Sequence, residues 1–426
     1  MREDWIECTL GEVCFTTSGG TPSRQNKDFY KGNIPWIKSG ELDKGIIYDS
    51  EEHISEEAIK KSSAKIFPKG TLLFALYGAT IGKMATLGVD AATNQAICGI
   101  YKSDVFNSEY LYNFLFSQKN FLIQQGIGGA QPNISQTILK KLNISIAPLV
   151  EQKAIVNKIE ELFSSLDSGI ADLKKAQGQL VIYRQAVLKK AFEGAYSDKE
   201  YKIVTIDTLC EVVRGGSPRP AGDERFYNGD IPFMKVRDIS RNIGIYVDNA
   251  EHSIKEAGLK KTRFVDANTL LLTNSGATLG IPAITTINTT FNDGIAAFLY
   301  LDDDLRYHYY YWCSKTVYLR NLNQGAAQPN LNTSVIGKME IPIYEDKDEH
   351  KKIVQEIESR LSVCDTVEKD IAGSLDKAQA LRQSILKKAF EGTLLGEAEI
   401  AKCKADKDYE PASVLLERIK KKKNKK

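Results

Sequence analysis

Apolar residues recur at strict seven-residue steps along two stretches of the chain. Ile159, Leu166, Leu173, Leu180 and Val187 form one row, with Ile155, Leu162, Gly169, Ala176 and Tyr183 as its companion. Ile357, Cys364, Ile371, Ala378 and Ile385 form the other, with Leu361 and Leu375 between them. Charged residues surround both rows, so each stretch predicts a long helix with a narrow a/d seam. Both end in Phe-Glu-Gly, which puts Gly194 and Gly392 just past the last turn, where a left-handed cap is favoured. About 40 residues at ~1.5 Å rise make each helix roughly 60 Å long. Such a seam needs a cover. The other helix supplies it if the two run antiparallel, and homodimerisation is the alternative. Gly169, Ala176, Gly373 and Ala378 suggest close helix approach, or kinks at the two glycines.

Away from the seams the pattern shortens. Thr71–Leu76 and Thr269–Leu272 read as buried strands, each running toward a Gly-Ala-Thr turn. Ala96–Tyr101, Ile295–Leu301 and Asn143–Ala147 read as further strands, and Tyr110–Gln125 and Tyr307–Asn323 as helices.

These elements occur twice because the chain is written twice. Gly19-Gly20-Thr21-Pro22-Ser23-Arg24 is matched by Gly215-Gly216-Ser217-Pro218-Arg219, and "YKGNIPW" from Tyr30 by "YNGDIPF" from Tyr227. "GATIG" from Gly78 returns as "GATLG" from Gly276, "GAQPNI" from Gly129 as "AAQPNL" from Ala326, and "LKKAFEG" from Leu188 at Leu386. The copies lie about 198 positions apart, too far for a solenoid repeat. Each copy is therefore a domain followed by a helix. The predicted fold class is α/β: two pseudo-symmetric α/β domains separated by two long antiparallel coiled-coil helices. The boundaries are 1–148, helix 149–194, 195–348, helix 349–392, and a Lys-rich, partly disordered tail over 393–426.

Composition narrows the function. At 426 residues, two or three domains are expected. No apolar run approaches the ~18–20 residues of a membrane span, and Met1-Arg2-Glu3-Asp4-Trp5 carries no hydrophobic signal core. The seven cysteines are scattered without a C-x-x-C pair, which predicts reduced, buried thiols in a cytoplasmic protein. The formal net charge is only +2 and leans on the lysine run after Ile419. Any contact with nucleic acid must use local patches or share phosphate contacts with partners.

Motifs for chemistry fail on inspection. Gly78-Ala79-Thr80-Ile81-Gly82-Lys83 has three residues between its glycines where a phosphate loop needs four, and Met84 follows the lysine. Gly126-Ile127-Gly128 lacks the third glycine of a dinucleotide fingerprint. His53, His252, His308 and His350 are too few and too dispersed for a metal or a triad. Asp302-Asp303-Asp304 reads as a solvated turn. Two similar units and a spacer without an active site describe a measuring device.

The paired segments quoted above, with the Pro148…Glu151-Gln152 start of the first helix, resemble the specificity (S) subunit of type I restriction–modification systems over nearly the whole chain. The second helix departs from the pattern, since Pro342…Glu349-His350 has a longer loop and a histidine for the glutamine. The resemblance implies two target recognition domains, each reading one half of an asymmetric split site on double-stranded DNA. It implies helices that set the spacing, two methyltransferase (M) subunits docked on the chain, and restriction (R) subunits joining them. It also implies no catalysis and no cofactor in this chain, with S-adenosylmethionine, ATP and Mg carried by partners. An enzyme with an unrecognised motif and a protein-binding scaffold are the rival readings.

Base edges must be read by side chains that differ between the copies on loops the fold holds in common. Such positions are Lys38, Ser39 and Glu41 against Lys235, Arg237 and Asp238, and Tyr77 against Asn274 and Ser275. Thr80 and Thr278 lie in the Gly-Ala-Thr turns, Lys83 follows one of them, and Asn94 and Gln95 stand against Asn292 and Asp293. Arg237 suits guanine and Asn274 or Gln95 adenine. Lys38, Lys83 and Lys235 suit phosphate. The GAQPN loop is nearly identical in both copies, so it reads as a common structural joint rather than a base reader.

Overall fold

Leu72-Leu73-Phe74-Ala75 is buried on both sides, and its alternation shows what each side meets. Successive side chains of a strand point to opposite faces. Leu72 and Phe74 join a core with Tyr110, Phe114 and Leu115 of a helix, while Leu73 and Ala75 join Ile37, Leu42, Ile47 and Phe67. The strand is thus central in a sheet with a helix on one face and a second sheet on the other.

The computed structural model describes residues 2–43, 45–125, 133–322 and 331–423. The chain forms two compact units, 1–172 with 374–426, and 173–373. In the first unit the strands are β1 (Ile6–Thr9), β2 (Thr16–Ser18), β3 (Ile34–Ile37), β4 (Ile46–Ile47), β5 (His53–Ile54) and β6 (Ile66–Phe67). They continue as β7 (Leu72–Ala75), β8 (Met84–Leu87), β9 (Ala91–Thr93), β10 (Ile97–Ile100) and β11 (Asn143–Ile146). One sheet has the order β2-β10-β7-β8-β4, another β5-β3-β9-β6, and β1 pairs with β11. The β3–β9 and β4–β8 pairs are parallel and the other pairs antiparallel.

The second unit repeats this order. Its five-stranded sheet runs Glu211–Arg214, Ile295–Leu299, Thr269–Thr273, Pro282–Thr285, Tyr246–Val247, and its four-stranded sheet His252–Ile254, Tyr227–Met234, Thr289–Phe291, Arg263–Val265. Leu270 and Leu272 face Tyr307 and Tyr311, and Leu271 faces Met234 and Phe291.

The long helices span Leu149–Ala191 and Lys347–Phe390. Gly194 and Gly392 have φ of +83° and +78°, the left-handed caps that the Phe-Glu-Gly endings predict. In the first unit Ile155, Val156 and Ile159 share a core with Ile385, Leu386, Ala389 and Phe390, and Arg382 pairs with Asp167. In the second, Leu188 and Ala191 share a core with Ile353, Val354 and Ile357, and Arg184 reaches Asp365 at 2.7 Å and Glu368 at 2.9 Å. In both units rising numbers on one helix meet falling numbers on the other, so the helices pack antiparallel. The Arg382–Asp167 and Arg184–Asp365 pairs are repeat images of each other.

The strict rows are covered to different degrees. Ile159, Val187, Ile357, Cys364, Ile371, Ala378 and Ile385 are buried, and Leu166, Leu173, Leu180, Leu361 and Leu375 half-buried. The companion row departs from expectation, because Gly169 and Tyr183 are exposed. A helix of 3.6 residues per turn drifts ~20° per heptad from a strict seven-residue row, so one row leaves the seam. Gly169 and Gly373 mark neither a close approach nor a break: a Cβ at either would meet nothing within 4 Å, and both helices run through them uninterrupted.

Three further expectations change. The tail is folded over Glu397–Lys404 and Ala412–Lys423, with Leu395, Ala412, Leu415 and Leu416 in the first unit's core. Tyr409 donates to Asp4 at 2.7 Å and Lys404 pairs with the same carboxylate at 2.7 Å, which fastens the tail to the turn that precedes β1. Short helices, Gln136–Lys140 and Thr333–Gly337, follow the GAQPN-type loops. Asp303 is no solvated turn and His308 and His350 are not dispersed. Asp303 Oδ2 lies 2.9 Å from His308 Nε2, and its Oδ1 2.7 Å from His350 Nδ1. Both histidines are buried and the Asp303 side chain is 9% exposed, and His350 Nε2 accepts the Tyr344 amide at 3.1 Å. Burial pushes the Asp303 carboxyl up, but the two histidine hydrogen bonds outweigh it and hold the group well below the usual carboxylate range. In the first unit Gln152 stands where His350 does. It accepts from Asn107 N and donates to the carbonyls of Val105 and Ala147, each at 2.8 Å. One junction is thus built on a neutral amide and the other on a carboxylate.

Candidate nucleic-acid interface

The loops that follow β3, β7 and β9 come together at one edge of the first unit. Asn94 N donates to Ile37 O at 3.0 Å, and Leu76 N to Ala96 O at 2.8 Å. The Gly-Gly segment after β2 closes the group, with Gly19 N on Ile97 O at 3.1 Å and Gly20 N on Thr93 O at 2.9 Å. The glycines are required by space, since a Cβ on Gly19 would sit 2.3 Å from Thr93 O. The second unit repeats all four bonds: Asn292 N to Met234 O, Asn274 N to Gly294 O, Gly215 N to Ile295 O, and Gly216 N to Phe291 O. One backbone frame therefore carries two sets of side chains.

The frame brings most of the candidate residues together and removes some of them from the reader set. Glu41 is buried. Its carboxylate accepts Lys38 N at 2.9 Å, Ser50 Oγ at 3.2 Å and Glu51 N at 3.2 Å. Asp238 is its counterpart, accepting Lys235 N at 2.7 Å and Glu251 N at 3.2 Å. Both are loop latches, because each carboxylate oxygen is already spent on the chain. Asn274 is fully buried, which takes it off the surface, and its backbone oxygen accepts Leu331 N at 2.8 Å. The same stitch joins Leu76 O to Ile134 N at 2.8 Å. These stitches tie the residues that follow the GAQPN-type loops to the Gly-Ala-Thr turns. The loops themselves lie outside the described residues, apart from Asn133, which bridges to Tyr77.

The remaining candidates are accessible. Lys38 Nζ pairs with Glu51 at 3.2 Å and Glu52 at 3.0 Å, and Lys83 Nζ with Asp43 at 2.8 Å. Ser39, Tyr77 and Thr80 are half-buried, as are Lys235, Ser275 and Thr278. The Thr278 carbonyl accepts the Thr273 hydroxyl at 2.6 Å. Asn94 and Asn292 each have a buried Oδ1 without a partner among the described residues. Arg237 is exposed, and no ion pair holds its guanidinium among the described residues. Gln95 is exposed and accepts a hydrogen bond from the Thr21 hydroxyl.

Sequence reasoning missed the hydroxyls of Thr21 and Ser217, and Arg24. Ser217 Oγ donates to Asp293 Oδ1 at 2.6 Å. Arg24 stacks over Tyr30 and Trp36 at 4.3 and 5.0 Å and pairs with Glu52 at 2.6 Å. The repeated Gly-Gly-Thr/Ser-Pro opening was the available signal. The cysteines bear out a packing role: five are buried, and burial pushes the Cys98 thiol up to about 12. Among the described residues no group of three or more His, Cys, Asp or Glu is placed to hold a metal ion, and no helix is long and apolar enough to cross a membrane.

The type I restriction modification DNA specificity domain family matches residues 2–175 and 198–375, one match per repeat. The chain belongs to this family. The MjaIX specificity subunit of Methanocaldococcus jannaschii is 29% identical, aligned over 66% of this chain and 68% of its own. The EcoBI specificity subunit of Escherichia coli is 24% identical over 99% and 92%. Two solved structures share the fold. The HsdS subunit from Thermoanaerobacter tengcongensis has a TM-score of 0.61 at 18% identity, covering 92% of this chain and 98% of that one. A chain from work on complex assembly and conformational transition of the type I R–M system has 0.71 at 19%, covering 92% and 99%. As a specificity subunit, this protein recognises DNA for a type I restriction–modification complex and has no catalytic activity of its own. Its two specificity domains match a bipartite DNA site.

Proposed function

We propose that the two loop clusters are the base-reading surfaces, one for each half of an asymmetric site, and that the helix pair sets the distance between the halves. The observation that carries this is one hydrogen-bonded loop frame, present twice, holding different side chains: Gln95 against Asp293, Gly40 against Arg237, and Lys83 where Ile281 packs against the core of the second unit. A reader of a single half-site would need no second version. Arg237 suits the O6 and N7 acceptors of guanine, and Lys38, Lys83 and Lys235 suit phosphates. Helices of 43 and 44 residues are each about 65 Å long at ~1.5 Å rise. That exceeds the roughly 34–36 Å turn separating half-sites on one face of B-DNA.

Two M subunits dock on the chain and R subunits join them in this reading. Those partners carry S-adenosylmethionine, ATP and Mg, and supply phosphate contacts that a chain of net charge +2 does not. Replacing residues 1–148 by another recognition domain tests the assignment. Methylation mapping of the assembled complex is expected to show one half-site changed and the other intact. A change in both halves, or in neither, would reject it.

A further inference from the structure

We propose that Gln95 and Asp293 are matched specificity-determining residues, each aimed by a hydroxyl of the Gly-Gly segment, with Gln95 selecting adenine and Asp293 selecting cytosine. This rests on the reading of the loop clusters as DNA-binding surfaces.

The two residues sit at the same point of the frame. Each follows an asparagine whose amide is bonded to the strand before it, Ile37 O or Met234 O, and each precedes a residue whose carbonyl accepts an amide from the turn loop, Leu76 N or Asn274 N. Each is held by the same kind of contact. Thr21 donates its hydroxyl proton to Gln95 Oε1, and Ser217 donates to Asp293 Oδ1 at 2.6 Å. The Gly-Gly backbone brings those hydroxyls close: a Cβ on Gly215 would lie 2.3 Å from Asn292 O. Arg214 Nε adds a bond to Asp293 O at 2.6 Å.

What remains free differs. Gln95 keeps both amide protons and a second lone pair on Oε1. It can therefore give one hydrogen bond and take one from the same base, which matches N7 and N6 of adenine in the major groove. Asp293 keeps Oδ2, an acceptor only. It favours the N4 amino group of cytosine and repels the O6 and N7 acceptors of guanine. Glu41 and Asp238 show the contrast within the same cluster. Where the fold needs a latch, both copies have a carboxylate whose two oxygens are bonded to the chain. At 95 and 293 the side chain is anchored through one oxygen, and the chemistry changes between the copies. Thr21 and Ser217 are positioning residues, acting through the group they hold.

The test uses the assembled complex with its methyltransferase partners and a DNA library randomised at both half-sites, read by binding selection and by methylation. Gln95→Glu is expected to lose its adenine preference at one position of one half-site by roughly ten- to hundredfold, with the other half unchanged. Asp293→Asn is expected to shift one position of the other half-site from cytosine toward adenine. Thr21→Val is expected to relax the position lost in Gln95→Glu without installing a new base, an outcome a merely structural hydroxyl would not give. Unchanged profiles in both isosteric variants would overturn the proposal, and so would a uniform loss of binding to every sequence. A wild-type complex that selects no two-part site would instead reject the DNA-reading itself.

Discussion

Asp303→Ala removes the one carboxylate that holds both buried histidines of the second unit. Its side chain is only 9% exposed, and His308 and His350 are each 1% exposed. Hydrogen bonds to a charged group contribute about 1.5–3 kcal/mol each. The Asp303 carboxylate makes two such bonds, one with each histidine. A loss of about 3–5 kcal/mol is therefore expected in the second unit. The matching change in the first, Gln152→Ala, breaks neutral bonds only, and about 1–3 kcal/mol is expected there. Hydrogen exchange separates the two units. The Tyr344 amide, bonded to His350 Nε2, should exchange roughly hundred- to thousandfold faster in Asp303→Ala, at ~1.4 kcal/mol per tenfold, while the amides of β7 stay protected. The sign with pH follows from the lowered titration of Asp303. Its stabilisation is present above its unfolded value of about 3.9. It is lost only as pH falls through the still lower folded value. The difference between wild type and Asp303→Ala should thus persist from pH 8 down to about 5. A loss under about 1 kcal/mol, or equal loosening of both units, would refute the reasoning.

Other consequences are open to direct measurement. Arg237→Ala is expected to weaken specific binding by about 1–3 kcal/mol and to relax one base pair in the methylation profile. Lys235→Gln should weaken binding evenly across sequences and lower the salt slope of the affinity by about 1, read from titrations at several salt concentrations. Gly19→Ala forces a Cβ against the Thr93 carbonyl. It should destabilise the first loop cluster by about 1–3 kcal/mol and blur one half-site only, measured by unfolding and by methylation mapping. Incubated with DNA and S-adenosylmethionine in the absence of partners, the pure chain should transfer no methyl group.

Much of the architecture was legible because it is local. The seven-residue rows announced the long helices, and their Phe-Glu-Gly endings became caps at Gly194 and Gly392. The double-sided burial of Leu72–Ala75 follows from a short apolar run bounded by turns. The repeat itself predicted one frame with two contents, and the same backbone bonds recur in both units. The candidate site was legible as a set of loops, but not residue by residue. Glu41 and Asp238 looked like readers and are latches, and Asn274 looked like an adenine reader and is buried.

The sequence by itself determined the duplication, the helices with their caps and the strands that lead into the paired turns, since hydrophobic period and turn chemistry act between residues a few positions apart. Only the tertiary structure decided which polar groups are spent and which are free. Thr21 meets Gln95 across 74 positions, and His350 meets Asp303 across 47. A hydrogen-bonding group has a fixed number of donors and lone pairs, and distant segments decide which of them are already used.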